Sequence, residues 1–244
     1  MRRRVLLCLL LLAACSGRLD SIHASGELRI GTTGDYPPFT YYDADTKSYS
    51  GSDIEVARAL ARKMGVRPIF VPTTWKTLSG DMEAGRFDIA VGGISVTEAR
   101  ERVGMFSLPY LKDGKVAVVR CKDKRRYDTP EAIDRPGVRA VVNPGGTNEA
   151  FARERLSRAS LRVFPDNTRI FKEIEEGRAD VMITDLAEAR YQASRSVGRL
   201  CAHGAERPFT TSWKAYFLAP DAALRDRVNA WLMERGMAVE ESVP

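Results

Sequence analysis

The pattern E-A-G-R-F-D-I-A-V-G-G at residues 83–93 returns as E-E-G-R-A-D-V-M-I-T-D at residues 175–185. Each copy reads as a helix end, a glycine that stops it, an aspartate and a short buried strand. Before the first copy, Leu28 to Thr32 reads as a strand. Ser52 to Met64 reads as a helix with an apolar stripe (Ile54, Val56, Ala57, Leu60, Ala61, Met64) ended by Gly65, and Pro68 to Val71 as a second strand. Trp75 to Ala84 is then a helix and Phe87 to Val91 a third strand. The second copy closes a similar series: strand Val138 to Val142, helix Thr147 to Leu156, strand Leu161 to Phe164, helix Thr168 to Glu176 and strand Ala179 to Ile183. Strand and helix alternating in this way predict an α/β fold with a mostly parallel sheet, built twice. Two such lobes hold a ligand in the crevice at the carboxyl ends of their strands. The apolar, extended runs Lys115 to Arg120 and Lys214 to Leu218 are the expected crossings between lobes.

Between the two copies lies N-P-G-G-T-N-E-A-F, Asn143 to Phe151. A glycine turn that opens a helix lets backbone N–H groups approach an anion at the positive end of the helix dipole. Thr147 adds a hydroxyl donor, and Asn148 an amide that both donates and accepts. The same residues also suit an ordinary N-capped turn.

Composition excludes several classes. With 244 residues, 44% hydrophobic and 29% charged, the chain is globular and long enough for two lobes. Its basic residues are scattered among acidic ones. Even K-D-K-R-R at 122–126 reads as a solvated loop, with no aromatic ladder or zinc spacing to suggest nucleic acid. Only His23 and His203 are present, and there is no G-x-S-x-G or G-x-G-x-x-G, so no metal, nucleotide cofactor or activated serine is expected.

The start, M-R-R-R-V-L-L-C-L-L-L-L-A-A-C, has the basic and apolar regions of an export signal and is too short to span a bilayer stably. Leu12 to Cys15 resembles the lipobox of bacterial lipoproteins, whose cysteine is lipidated; cleavage by the ordinary peptidase is the alternative. The expected division is signal peptide 1–14, tether 15–25, lobe one 26–116 with 213–244, and lobe two 117–212. Removing Arg2, Arg3 and Arg4 takes the formal charge from +6 to about +3. The mature chain then keeps Cys121 and Cys201, an even pair in an oxidising compartment that is expected to be bridged; two buried free thiols are the other reading.

Several stretches together carry a family resemblance: G-E-L-R-I-G-T, Y-P-P-F-T-Y, S-G-S-D-I-E-V-A-R-A-L-A, F-D-I-A-V-G-G-I-S-V-T, F-S-L-P-Y and G-R-A-D-V-M-I-T-D. The chain resembles the bacterial extracellular solute-binding proteins that capture polar amino acids, over nearly all of its mature length. That resemblance implies two hinged lobes of the type II periplasmic binding fold closing on a ligand. P-T-T-W, S-L-P-Y-L-K-D-G-K, N-P-G-G-T-N-E, P-D-N-x-x-I-F and T-D-x-x-E-A-R are more specifically similar to the cyclohexadienyl dehydratases, periplasmic enzymes acting on prephenate and arogenate, where Cys121 and Cys201 also have counterparts.

The resemblance implies roles for particular residues. Arg100 grips a substrate carboxylate through its guanidinium fork, with Thr147 as second donor and Ser95, Gly93 and Asp35 in the binding set. Trp75 forms an apolar wall over the ring, Asp185 holds the amino group of arogenate, and Lys214 faces a second carboxylate. Glu188 is the general acid, with Asn148 beside it in the catalytic set. Read without the family, Arg100 is a surface residue paired with Glu98 or Glu101, Trp75 is a core tryptophan, and D-L-A-E at 185–188 is a capping box. The other function class kept open is an amino-acid receptor for an importer, which needs Arg100, Thr147 and Asp185 but not Asn148, Glu188 or Lys214.

Overall fold

The computed structural model describes residues 17–204 and 206–239. The expected signal peptide and Cys15 lie outside the described residues. The chain runs α1 (Arg18–Ser25), β1 (Glu27–Thr32), β2 (Asp35–Tyr36), β3 (Thr40–Asp43), β4 (Ser48–Ser50), α2 (Ser52–Met64), β5 (Arg67–Pro72), α3 (Leu78–Glu83) and β6 (Ile89–Ala90). It continues through α4 (Glu98–Glu101), β7 (Met105–Phe106), β8 (Leu111–Asp113), β9 (Lys115–Arg120), α5 (Pro130–Ile133), β10 (Arg139–Val142), α6 (Gly146–Arg155), β11 (Ser160–Val163) and α7 (Ile170–Glu175). The last elements are β12 (Val181–Asp185), α8 (Leu186–Arg195), β13 (Leu200–His203), β14 (Ser212–Lys214), β15 (Phe217–Leu218) and α9 (Ala222–Glu234).

The internal echo becomes two sheets of the same design, with strand orders β5-β1-β6-β15-β7 and β11-β10-β12-β9-β13. In each, the first three strands are parallel, and the fourth is antiparallel to both of its neighbours. That fourth strand follows a crossing from the other lobe. β8 and β14, paired antiparallel, are the crossings, and they deliver the chain to β9 and to β15. The expected crossing at Lys115 to Arg120 is therefore corrected. This run is a central strand of lobe two, apolar because Val116 to Val119 are buried between β12 and β13. Lobe two accordingly takes in Lys115, ahead of the expected boundary at 117. Lys214 to Leu218 begins at the end of the second crossing and then enters the sheet of lobe one as β15.

Residues 18–25, expected as part of a tether, form α1. Leu19 and Ile22, one helical turn apart, pack on the lobe-one core together with Leu224, Val228, Trp231 and Leu232 of α9. Two apolar residues in a polar stretch give too little periodicity to announce a helix. α2 matches its stripe, with Ile54, Ala57, Leu60, Ala61 and Met64 buried and Gly65 left-handed at φ +70. Lobe two is also tied by a disulfide between Cys121, just after β9, and Cys201 in β13, with Cα atoms 4.8 Å apart.

Candidate active site

Strand pairing brings the charged groups together. Asp185, the last residue of β12, stands in register with Lys115, the first of β9, and Lys115 Nζ lies 2.6 Å from Asp185 Oδ1. Lys214, at the end of the second crossing, pairs through its backbone with Ser95; its Nζ donates to Ser95 Oγ at 2.8 Å and to Asp185 Oδ2. Tyr36 of lobe one donates its hydroxyl to the same Oδ2 at 2.7 Å. All four side chains are buried, so the charges of Asp185, Lys115 and Lys214 persist only because they are paired. Burial opposes ionisation of Asp185, but Lys115 and Lys214 outweigh it and hold the carboxyl well below its ordinary range. Burial lowers Lys115 to about 8 despite Asp185.

The glycine turn meets this cluster through Lys115, whose Nζ also donates to Thr147 Oγ1 at 2.7 Å and to Asn148 Oδ1. Accepting from an ammonium leaves the Thr147 hydroxyl hydrogen to point elsewhere as a donor. The turn is partly self-satisfied, since the Gly145 N–H donates to Glu149 Oε2 at 2.6 Å. Gly145 and Gly146 have φ of +72 and +70. A Cβ on Gly145 would lie 2.8 Å from the backbone N of Lys76, so this glycine is also what lets the two lobes touch.

Arg100 is buried, and among the described residues its guanidinium makes one hydrogen bond, from Nη1 to the Ser95 carbonyl at 2.7 Å. Glu98 pairs with Arg102 instead. Burial lowers Arg100 to about 10, with only the distant charge of Asp185 opposing. A buried guanidinium with most of its donors unspent fits a carboxylate. Trp75 lines the same cleft, edge-on to Tyr36 with centroids 5.1 Å apart, and its indole N–H donates to Asp35 Oδ1 at 3.0 Å. Gly93 donates its N–H, as does Gly92, to buried Asp53. The cleft, which leaves only about 10 Å³ of free space between the lobes, is lined by Tyr36, Trp75, Ser95, Arg100, Thr147 and Asn148 among others.

Glu188 is fully buried on α8, yet it does not line this cleft. Its Oε2 accepts from Thr184 Oγ1, which in turn accepts from Asn148 Nδ2 at 3.2 Å, and its Oε1 accepts from Asn167 Nδ2 at 2.8 Å. Burial raises its pKa well above the ordinary carboxylate range; the bonds from Thr184 and Asn167 oppose the rise, and the charges of Asp35 and Asp185 add to it. The capping-box arrangement is absent, because Asp185 makes no side-chain cap and Glu188 turns inward.

The model of the bacterial extracellular solute-binding proteins, family 3, matches residues 28–235. The chain belongs to that family. It is 47% identical to the cyclohexadienyl dehydratase of Pseudomonas aeruginosa over 234 residues, 94% of this chain and 87% of that one. Among solved structures, the ancestral amino acid-binding protein AncCDT-1, a precursor of cyclohexadienyl dehydratase, superposes with a TM-score of 0.81 at 35% identity, covering 89% of this chain and 93% of that one. An ancestral cyclohexadienyl dehydratase, AncCDT-3, is 48% identical over 91% of this chain and 92% of its own, with a TM-score of 0.55. For hinged solute-binding proteins the angle between lobes dominates such a superposition, and identity does not measure it.

Within this solute-binding fold the structure brings together Arg100, Ser95, Gly93, Trp75, Thr147, Asn148 and Asp185 around the cleft, with Asp35 bonded to Trp75 and Lys214 bonded to Asp185. Lys115, Tyr36, Thr184 and Asn167 were not expected there. Lys115 opens an apolar strand, where a lysine reads as a solvated strand end; its pairing with Asp185 is a matter of register between β9 and β12, which no local pattern carries.

Proposed function

We propose that the chain is a dehydratase and decarboxylase of prephenate and L-arogenate, yielding phenylpyruvate and L-phenylalanine. The observation that carries this reading is Glu188, a carboxyl group fully buried beside Thr184 and Asn167, where burial raises its pKa well above the ordinary carboxylate range. A receptor that only holds an amino acid has no use for such a group. The ring carboxylate leaves as CO2, its bonding electrons enter the ring, and the ring hydroxyl departs as water with a proton supplied by the acid. Arg100 and the Thr147 turn bind one carboxylate, Lys115 and Lys214 add positive charge for a dianion, and Trp75 faces the ring. Asn148 orders Thr184 and, through it, Glu188. Asp185, assigned by resemblance to the amino group of arogenate, is already met by two ammonium groups, those of Lys115 and Lys214. The family's extracellular character and the export pattern at residues 1–15 support a periplasmic enzyme, held to the membrane by a lipid on Cys15.

Incubation with prephenate should release phenylpyruvate, followed by its ultraviolet absorbance. Glu188→Gln keeps the size but loses the proton, so turnover should fall by roughly 10² to 10⁴ with binding largely kept. A wild-type protein that binds an amino acid and leaves prephenate intact would make the receptor reading correct.

A further inference from the structure

The motif P-D-N at 165–167 has no part in the carboxylate clamp, yet Asn167 is 1% exposed and lies against the acid. It sits in lobe two between β11 and α7, and its Nδ2 has two acceptors. One is Glu188 Oε1 at 2.8 Å; the other is the backbone carbonyl of Asp35, in lobe one, at 2.9 Å. Both hydrogens of the amide are thus spent, one on each lobe, while Oδ1 is buried without a partner. Flipping the amide would set Oδ1 against two oxygens, so its orientation is fixed.

We infer that Asn167 is a positioning residue for the dehydration: it fixes which oxygen of Glu188 carries the proton, and does so only when the lobes are closed. This role rests on the reading of Glu188 as the acid. Because the Asn167 Nδ2 group can only donate, Oε1 must accept in the neutral carboxyl group, whereas the Thr184 hydroxyl on Oε2 can donate or accept, so the proton is directed to Oε2. Oε2 is the oxygen on the side of Thr184, Asn148 and the cleft. The second donation, to the Asp35 carbonyl, exists only while β2 of lobe one lies against Asn167. Opening the lobes removes it and frees the amide to rotate.

The groups that face Glu188 are Asp35 and Tyr36 from lobe one and Asp185, Thr184 and Asn167 from lobe two. Of these, Asn167 and Thr184 stabilise the ionised form by donating to it, and the carboxylates oppose it. Loss of the Asn167 donor therefore moves the ionisation of Glu188 upward. A general acid loses activity as pH rises through its pKa, so the alkaline limb of the pH profile must move up as well.

The test uses Asn167→Leu, of similar size without donors, and Asn167→Asp, which keeps size and polarity but puts an acceptor where the donor was. Each is assayed for kcat, KM, the pH profile of prephenate turnover and Tm. We expect kcat to fall about 10- to 100-fold in both, more than KM rises, and the alkaline limb to shift upward. A folded variant with wild-type kcat and limb overturns the role. So does a lower Tm with unchanged turnover per folded molecule, which is all that a space-filling residue would produce. Glu188→Gln in parallel separates two failures. Full turnover there removes the acid itself and this role with it, whereas lost turnover there with unchanged Asn167 variants removes only the role of Asn167.

Discussion

A lysine buried beside an aspartate and a second lysine is where single residues have the most influence. Lys115 touches Asp185, Thr147 and Asn148 at once, so its charge supports both the carboxylate pair and the glycine turn. Its pKa of about 8, lowered by burial, places its loss of charge just above neutral pH. As pH rises through that value the cleft loses a positive charge, and Nζ keeps two hydrogens for its three acceptors, Thr147, Asn148 and Asp185. KM for a dianionic substrate should therefore rise above about pH 8, before Arg100 at about 10 contributes. A Lys115→Met protein should show a high KM at all pH values and no further rise across pH 7 to 9. Steady-state kinetics over that range checks both, and a wild-type KM flat to pH 9 would mean that Lys115 keeps its proton or does not act on the substrate.

The elements differ in how plainly they are written. α2 was legible because six apolar residues on one stripe and a stop glycine leave one solution. The repeated glycine-aspartate-strand pattern announced β6 and β12, and hence two lobes. The three-stranded sheet of β2, β3 and β4 was not legible, since strands this short carry no period, and the crossing was misplaced because a buried central strand and an apolar hinge strand look alike in a single sequence. The turn before α6 was read as an anion site, but its second task, contact with lobe one, depends on distances that no motif contains. Gly145→Ala and Gly146→Ala separate these tasks. Both place a side chain at positive φ and should lower Tm, Gly145→Ala the more, because its φ of 72 and ψ of 179 fall in a region that is essentially glycine-only. Only at Gly145 does the new Cβ strike the backbone of Lys76, at 2.8 Å; at Gly146 it meets the Trp75 Cβ at an ordinary 3.4 Å. KM should rise more in Gly145→Ala than in Gly146→Ala, and equal KM values would show that closure at this point does not limit binding.

At the scale of the whole molecule, two lobes with separate cores are joined by two short crossings and by polar contacts across the cleft. Tyr36 to Asp185 and Thr184, Asn167 to the Asp35 carbonyl and Lys214 between Ser95 and Asp185 are among those contacts. Each is a hydrogen bond rather than apolar burial, so closure depends on a few groups, and the hinge places Lys214 where opening must pull it away from one of its two partners. Tyr36 offers the cleanest test, because its ring stays packed against Trp75 when the hydroxyl is removed. A hydrogen bond to a charged group contributes about 1.5 to 3 kcal/mol, and Tyr36→Phe removes one that spans the lobes. Without substrate, small-angle scattering should then report a larger radius of gyration for Tyr36→Phe than for the wild type. A saturating dicarboxylate that binds both lobes should restore the compact value, because its binding energy replaces the lost contact. Each lobe keeps its own core, so circular dichroism should be unchanged. Identical scattering from the two proteins without substrate would mean that Lys214 and Asn167 suffice to hold the lobes together.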